Sequence, residues 1–574
     1  MNKRGYFVFF TLVVLFSLLL IAQNCIAANP PASQTAGGIE SRDQQMEKSR
    51  KLQKEIKTKK EVEGEISSEQ VSEEDTGPKV KINTITVEGV SLLKESEIND
   101  IIAPFKGKEL SLKSMQKIAD LITDAYRQKG FVTSRAYIPP QTVKDGILII
   151  KVIEGSLGSI EIKGNRFFKT SLLEKKIQLL PGNPFDYKTL QRSLTLINEH
   201  PDRKAKVTLV PGKEPGTTDI LLDVKDNLPL HLGFEFDNYG SRFIDKHRFS
   251  LVLEENNLFG FDDKLYIKLQ RSESDFYRVK NFRYLFPVTD DLEAGFYITR
   301  SHTKLGRDFE DLDSRGESDI YGIFLSKSLI QNPDLDLRLN LGFDYKDVKN
   351  YLLTLLNSED RLRILKGGFD LDVNDKWGRT IFTSELNVGL PHIMGGMESK
   401  DALASRAGAG GKFTKGVFNL FRLQPMPFSS YILLKNQAQY SNYNLTATEE
   451  FQIGGPTSVR GYPAGEFSAD KGIYSSIEWS FPPYFFPKDI KVPFTQDKFY
   501  DAFRTVLFYD WGTVHLNKVL TGDKQHRTLK SAGFGFRLNL SNDCSARIEF
   551  GYPLGKSASD GHNMQHWVEV ITKF

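Results

Sequence analysis

The chain from residue 228 onward alternates between apolar and polar residues over many short stretches. In the clearest of these, Asp334 to Tyr345, every second residue from Leu335 is leucine or aromatic, and most residues between them are polar. Side chains alternate across a β-strand, so this pattern predicts a strand with one apolar and one polar face. A soluble sandwich could contain one such strand. About sixteen segments of this kind, each near ten residues long, instead favour a transmembrane antiparallel β-barrel over 228–574.

The connections between these segments give an independent check on the number of strands. Successive connections are predicted to alternate in length: those on the outer side are mostly long, and those on the periplasmic side are mostly short. This asymmetry is typical of outer-membrane barrels. The exception on the short side is the Pro-rich, aromatic stretch 482 to 502. The connections predicted on the outer side are 239 to 246, 273 to 278, 301 to 317, 347 to 360, 392 to 410, 442 to 471, 516 to 527 and 554 to 563.

A different pattern, in which short strands alternate with amphipathic helices, precedes the barrel. Residues 80 to 88 alternate as a strand, and apolar residues then recur at helical spacing between Ser111, a predicted N-cap, and Gly130. Two further strands follow. The same order of elements returns from Ser159. This internal repeat predicts two small α+β domains, at residues 79–155 and 156–227.

The first residues have the parts of a secretory signal peptide. Lys3 and Arg4 precede an apolar run, and small residues occupy the two positions that determine cleavage after Ala27. We therefore expect residues 1–27 to be removed; a retained anchor and a lipoprotein are the alternatives. Loss of Cys25 with the signal would leave Cys544 as the only cysteine, and so neither an intramolecular disulfide nor a Cys-rich metal site.

Residues 28–78 form a polar segment, rich in Lys, Glu, Gln and Ser over most of its length. Opposite charges four residues apart, such as Glu47 with Lys51, favour a helix on an exposed or pore-lining face. Disorder is the competing interpretation.

Composition agrees with a barrel and excludes other classes. The chain has 574 residues, 45 glycines and 11% aromatic residues, and its mean hydropathy of -0.35 excludes a bundle of membrane helices. Its 76 basic and 73 acidic residues are interspersed, which gives no case for nucleic-acid binding.

Catalytic and cofactor motifs are missing from the sequence. It shows no nucleophile elbow, phosphate-binding glycine loop, HExxH or CxxC spacing, so we expect no enzyme and no cofactor. Asp370, Asp372, Asn374 and Asp375 resemble part of a calcium loop, but the required Gly and distal Glu are missing. We expect no metal site, and interpret these carboxylates as facing the barrel interior.

Two stretches of the predicted barrel carry a candidate ion pair. The first, Val459-Arg460-Gly461-Tyr462, lies in the long connection 442 to 471; the second, Phe508-Tyr509-Asp510-Trp511-Gly512, lies in an alternating strand. Phe508, Asp510 and Gly512 share the face opposite to Tyr509 and Trp511. Asp510 is therefore expected to point away from lipid, into the barrel.

These stretches resemble the two signature motifs of the two-partner secretion transporters, the TpsB class or haemolysin secretion/activation family, which are relatives of BamA-type assembly factors. In that family the loop folds back into the barrel and its Arg meets the strand Asp. The resemblance thus implies an ion pair between Arg460 and Asp510. The flanking motif residues are Val459, Gly461 and Tyr462 in the loop, and Phe508 and Gly512 in the wall.

Other parts of the chain resemble the same family. The two repeats are similar to POTRA domains, and residues 28–78 lie where the family carries a helix that plugs the barrel, followed by a linker. The chain ends in alternating residues with a terminal aromatic, Phe574, which looks like the assembly signal of bacterial outer-membrane barrels.

The resemblance implies an outer-membrane protein with its POTRA domains in the periplasm. Such a protein binds an unfolded exoprotein of the haemolysin or adhesin type and exports it through the barrel without nucleotide hydrolysis. Outer-membrane lipid, the barrel assembly machinery and periplasmic chaperones are its further implied partners. A barrel assembly or insertion factor is the alternative, although these usually carry more POTRA domains, and a general porin would have no use for such domains.

Overall fold

The computed structural model describes residues 30–57, 78–143, 145–332, 334–493, 495–519, 524–540 and 544–574. These residues form two compact units. The larger comprises Leu230–Asn256, Asp263–Phe574 and the described part of Met1–Lys60; the smaller comprises Asn257–Asp262 and the described part of Glu61–Pro229. The predicted signal peptide and residues 58–77 lie outside the described residues. No helix in the described ranges is both long and apolar enough to cross a membrane.

The first helix, α1 (Ala36–Lys57), belongs to the larger unit. It has few apolar residues, and an ion pair four residues apart stabilises it, with Lys51 Nζ 3.7 Å from Glu55 Oε1.

The smaller unit begins with one α+β domain. Helix α3 of this domain starts where the Ser111 hydroxyl accepts a hydrogen bond from the Ser114 N–H, and it ends at Gly130, whose φ of 104° suits glycine. Its apolar face packs on a sheet in which β2 pairs in parallel with β5, and β5 pairs with β4. The elements are β1 (Lys79–Ile82), β2 (Thr84–Glu88), α2 (Glu95–Ile102), β3 (Lys108–Ser111), α3 (Leu112–Lys129), β4 (Arg135–Tyr137) and β5 (Ile147–Ile153).

Glu154 fixes the loop that follows β2 in this domain. Its carboxylate accepts hydrogen bonds from the backbone N–H groups of Ser91 and Leu92 at 2.6 and 2.8 Å, and from the Tyr126 hydroxyl at 2.7 Å. Burial raises the pKa of Glu154, but the hydrogen bonds from Ser91, Tyr126 and Leu92 together outweigh it, so the pKa lies below its ordinary value.

A second α+β domain has the order strand, helix, helix, strand, strand, with β6 parallel to the central strand β8 and β7 antiparallel to it. The sequence predicted each of its helices and strands. The elements are β6 (Ser156–Lys163), α4 (Thr170–Lys176), α5 (Tyr187–Asn198), β7 (Arg203–Pro211) and β8 (Thr217–Asp226).

Sixteen antiparallel strands of the larger unit close into a barrel, in which β26 pairs with β9; β20 and β21 form a separate hairpin. The predicted fold class is confirmed. The strands are β9 (Leu230–Asp237), β10 (Arg248–Glu255), β11 (Lys264–Ser272), β12 (Tyr277–Pro287), β13 (Leu292–Lys304), β14 (Arg315–Gln331), β15 (Leu335–Leu352), β16 (Leu355–Asp375), β17 (Gly378–Gly389), β18 (Phe413–Met426), β19 (Ser430–Ser441), β20 (Phe451–Ile453), β21 (Phe467–Ala469), β22 (Lys471–Phe481), β23 (Phe503–His515), β24 (His526–Leu540), β25 (Cys544–Pro553) and β26 (Gln565–Lys573).

The faces of these strands follow the apolar and polar alternation of the sequence. In β15, Leu339 and Leu341 are exposed on the outer surface, whereas Asp336 and Asp344 are buried on the inner one. The outside of the barrel is therefore apolar and its inside polar, as a bilayer requires.

One predicted connection, 347 to 360, is wrong. Strands β15 and β16 continue through this stretch and are joined by a turn of two residues, Leu353 and Thr354, which both have positive φ. Charged and polar residues in this stretch interrupt the apolar alternation from which a strand is predicted. Outside the hydrocarbon layer, paired strands can be polar on both faces, so the hydrogen-bond ladder continues where the apolar alternation stops.

Helix α1 lies inside the barrel. It makes contacts with strands from all round the wall, and a single helix can do so only from within a closed barrel. Its side chains or backbone reach Asp237 of β9, Arg248 of β10, Tyr277 of β12, Asn350 of β15, Arg379 of β17 and Glu569 of β26.

Candidate functional site

Arg460 and Asp510 form a buried, two-pronged ion pair inside the barrel. Arg460 Nε and Nη2 donate to the two carboxylate oxygens of Asp510 at 2.8 and 2.7 Å, and the Arg460 backbone N–H donates to the same carboxylate at 3.1 Å. The exposed fraction is 1% for Arg460 and 0% for Asp510. Planar guanidinium and carboxylate groups match each other in this arrangement, which fixes both the position and the orientation of the loop.

Two further carboxylates surround the same guanidinium. Arg460 Nη1 lies 2.8 Å from Glu478 Oε1 on β22 and 3.2 Å from Glu549 Oε2 on β25. Lys435 on β19 also binds Glu478, and Arg537 on β24 binds both Glu478 and Glu549. Three cations and three anions are therefore interleaved in one buried network, so each desolvated charge has an opposite neighbour.

The sequence did not reveal the four outer members of this network. Each lies on an inward-facing position of its strand, and Glu478, Arg537 and Glu549 have apolar neighbours on both sides in the chain, such as Ile477 and Trp479 beside Glu478. Such a charge must face the barrel interior. Alternation could therefore have identified candidates, but only the fold shows which of them meet Arg460.

Phe508 lies under the guanidinium, with its ring centroid 3.4 Å from Arg460 Cζ. This cation–π contact adds to the attraction of the carboxylates. A Cβ atom on Gly533, which pairs with Phe508 on the next strand, would come within 2.4 Å of the Phe508 ring. The glycine thus leaves the space in which the ring lies flat beneath the cation.

Glycines also let the loop backbone approach the wall. A Cβ atom on Gly551 would lie 2.5 Å from the Arg460 carbonyl, and one on Gly461 would lie 2.7 Å from the backbone N of Pro553. A Cβ on Gly512 would lie 2.9 Å from the Val459 side chain. Larger residues at these positions would push the loop away from the strands.

The remaining residues of the loop motif are also buried against the wall. Val459 and Tyr462 belong to an apolar cluster with residues of β20, β22 and β23. The Tyr462 hydroxyl donates to the Lys556 carbonyl at 2.8 Å, and Trp567 Nε1 donates to the Arg460 carbonyl at 2.8 Å. The structure therefore brings together Val459, Arg460, Gly461 and Tyr462 with Phe508, Asp510 and Gly512.

Helix α1 packs directly against the same loop. Gln452 Nε2 donates to the Gly38 carbonyl at 2.5 Å, and Ser41 Oγ donates to the Glu450 carbonyl at 3.0 Å. Gln45 Nε2 donates to the Gln452 carbonyl at 3.3 Å. The helix and the loop consequently occupy the barrel interior as one hydrogen-bonded assembly.

Two buried arginines of α1 differ in how their charges are paired. Arg50 is well paired, with Asp237 3.3 Å away and Glu569 in direct contact. The guanidinium of Arg42 is buried, and its three nitrogens have no hydrogen-bond partner among the described residues; Asp43 Oδ1 lies 3.9 Å from its Nε. An unsatisfied buried cation opposes the binding of the helix.

Phe574 lies at the seam between the last and first strands. Its backbone N–H donates to the Leu232 carbonyl at 2.8 Å, and the Leu232 N–H donates to the Phe574 carbonyl at 3.1 Å. The ring is exposed on the outer surface and packs edge-on against Phe234, with 6.5 Å between centroids.

Two of the three carboxylates between residues 370 and 375 are held by arginines. Asp372 Oδ2 lies 2.6 Å from Arg379 Nη2, and Asp375 Oδ2 lies 2.5 Å from Arg422 Nη1. No group of three or more potential metal-ligating side chains occurs among the described residues.

Comparisons with known proteins agree with this architecture. The family described as haemolysin secretion/activation protein ShlB/FhaC/HecB matches residues 216–538, and two POTRA families match 80–155 and 156–226. The chain is 24% identical over 494 residues to the heme/hemopexin transporter protein HuxB of Haemophilus influenzae, covering 83% of this chain and 84% of that protein.

Two similarities involve a transporter called CdiB. The outer membrane transporter CdiB of Escherichia coli is 24% identical over 416 residues, 70% of each chain. The solved structure of CdiB from Escherichia coli has the same fold, with a TM-score of 0.73 and 21% identity over 95% of this chain and 99% of that one. The chain belongs to the ShlB/FhaC/HecB haemolysin secretion/activation family of outer-membrane β-barrel transporters with periplasmic POTRA domains.

Proposed function

We propose that the chain exports one large exoprotein, of the haemolysin or adhesin type, from the periplasm to the cell exterior. The exoprotein would bind the POTRA domains unfolded and thread through the barrel. The observation that carries this proposal is the content of the barrel: a polar helix and a loop, held by hydrogen bonds, ion pairs and several separate apolar clusters rather than by one continuous apolar core. Such contents can be exchanged for a polar, extended chain.

The proposed parts of the chain are a leader, a helix with its linker, two POTRA domains and the barrel. In this proposal export proceeds without nucleotide hydrolysis, and folding of the exoprotein outside the cell would bias the movement. The boundaries are 1–27, 28–78, 79–155, 156–227 and 228–574.

Strand β7 is the favoured place for the exoprotein to bind. It is a nine-residue strand whose pairing among the described residues is with β8 alone, and it exposes Leu209 and Val210. An extended segment can add to such an edge by β-augmentation. A photo-crosslinking residue at Leu209 should capture the exoprotein, and one at Asp120, on the exposed face of α3, should not; equal capture would contradict this assignment.

Export requires α1 to separate from the loop that carries Arg460. A disulfide can test this step, because the helix and the loop lie directly against each other at Gly37 and Thr448: a Cβ on Gly37 would lie 3.4 Å from the Thr448 Cα. In a Cys544→Ser background, the Gly37→Cys/Thr448→Cys variant should stop secreting under oxidising conditions and recover with reductant. The two single variants are the controls. Undiminished secretion by the oxidised variant would contradict the step.

We also propose that Phe574 is recognised during assembly. Its exposed ring at the seam of the barrel is accessible to the barrel assembly machinery, to which periplasmic chaperones would deliver the chain. Phe574→Ala should lower the amount of folded barrel in the outer membrane, whereas Leu341→Ala, on the outer face of β15, should not. Equal amounts of the two variants would contradict this role.

A further inference from the structure

The connection between β22 and β23 differs from the others at its end of the barrel. It spans residues 482–502, whereas the connections 288–291 and 427–429 at the same end contain four and three residues, and 256–263 contains eight. It contains four prolines and a short helix, α6 (Phe499–Ala502), and several aromatic residues. A connection of this length and composition is not needed to join two adjacent antiparallel strands.

Large apolar side chains are exposed along this connection. Phe485 is 101% exposed, and Tyr484, Phe486 and Ile490 each expose between 44% and 50% of their surface. Exposed clusters of apolar side chains on a protein usually mark a contact surface.

Aromatic stacking makes this surface continuous with the lipid-facing wall. Tyr484 stacks on Phe481, with centroids 5.9 Å apart and an interplanar angle of 6°, and Phe481 contacts Trp479 at 4.9 Å. At the other end of the connection, Phe499 stacks on Phe503 at 5.1 Å, and Phe503 stacks on Phe536 at 5.8 Å.

The strand residues in these stacks lie on the outer face. Trp479 and Phe536 are exposed, and they alternate with Glu478 and Arg537, which point into the barrel. The connection therefore extends outward along the bilayer side of the wall, not across the barrel opening.

We propose that residues 482–502 form a membrane-interface anchor that inserts Tyr484, Phe485 and Phe486 into the phospholipid leaflet on the periplasmic side. Aromatic rings are favoured at the boundary between headgroups and acyl chains. Charged side chains of the same connection, such as Asp489, whose side chain is 96% exposed, remain in the aqueous phase. This anchor would fix the depth in the bilayer of β22 and β23, the strands that carry Glu478 and Asp510, at the end opposite to the connection that carries Arg460.

Spin labels test the anchor in the full chain, reconstituted in phosphatidylethanolamine/phosphatidylglycerol vesicles. Phe485→Cys and Asp489→Cys, each in a Cys544→Ser background, are labelled and their accessibility to oxygen and to a water-soluble nickel chelate is compared. The ratio of oxygen to nickel accessibility should be several-fold higher at 485 than at 489. The heat-sensitive gel mobility of a folded barrel confirms that both variants are assembled.

A low, water-like ratio at both positions would overturn the proposal, because the aromatic surface would then face the periplasm and be available to a protein. Either result is independent of export, since the measurement needs no exoprotein.

Discussion

Replacement of Arg460 by methionine tests whether the buried network holds the loop in the barrel. Methionine keeps much of the side-chain length but removes the charge. Glu478 would keep Lys435 and Arg537, and Glu549 would keep Arg537. Asp510 would keep only neutral partners, with Ser476 Oγ at 2.7 Å as the shortest. Leaving one buried charge without its partner costs about 3–5 kcal/mol.

This cost should appear as easier opening of the loop. Hydrogen exchange of peptides that cover residues 451–469 reports the free energy of local opening. A loss of about 3–5 kcal/mol corresponds to exchange that is faster by about 10² to several times 10³. The double variant Arg460→Met/Asp510→Asn should lower the free energy of local opening by less than the sum of the two single variants. The expected difference is about 0.5–3 kcal/mol.

Arg315→Met is the matched control. Its partner Asp313 is close, but Arg315 is about half exposed, and exposed pairs contribute about 0–1 kcal/mol. Exchange around residue 315 should therefore change less than about tenfold in this variant. Exchange of the 451–469 peptides that changes by less than tenfold in Arg460→Met would refute the assignment of the network as the anchor of the loop.

Three further perturbations have expected outcomes. In planar bilayers, Arg50→Met should increase pore openings because it breaks a paired contact between α1 and the wall. Arg42→Met should decrease them because it removes a buried cation whose three nitrogens have no hydrogen-bond partner among the described residues. The same direction of change in both variants would contradict this account of the plug. Gly461→Ala should reduce secretion because its Cβ would meet backbone atoms of the wall. Gly367→Ala should not, because a Cβ there would have no atom within 4 Å. Equal secretion by the two variants would contradict the close fit of the loop to the wall. Glu154→Gln should speed hydrogen exchange of the Leu92 backbone amide near neutral pH. The difference in exchange rate from the native chain should shrink as the pH falls below about 4.5 and passes through the lowered pKa of Glu154. A difference that grew towards low pH would contradict the hydrogen-bonded carboxylate.

Much of the fold could be predicted from local physics. Period-two alternation sufficed for the sixteen strands, and the Ser111 cap and Gly130 stop sufficed for α3, because both depend on residues close together in the chain. Strand β3 was missed since it is short and adjoins a helix. The fourth outer connection was predicted incorrectly because polar residues outside the bilayer carry no signal that separates strand from loop.

The candidate site was less accessible to sequence reasoning. Arg460 and Asp510 could be paired through a motif, although 50 residues separate them. Glu478, Glu549 and Arg537 come from strands that alternation places in the wall, but alternation does not give their height or their neighbours. The register between strands determines those, and it depends on pairing across the whole barrel.

The most direct test of the proposed export function compares cells with and without this chain, by mass spectrometry of the culture medium and of isolated envelopes. The account predicts that one large protein disappears from the medium while the other outer-membrane barrels keep their abundance. Depletion of many barrels from the envelope, with no selective loss from the medium, would contradict it and indicate a barrel assembly factor.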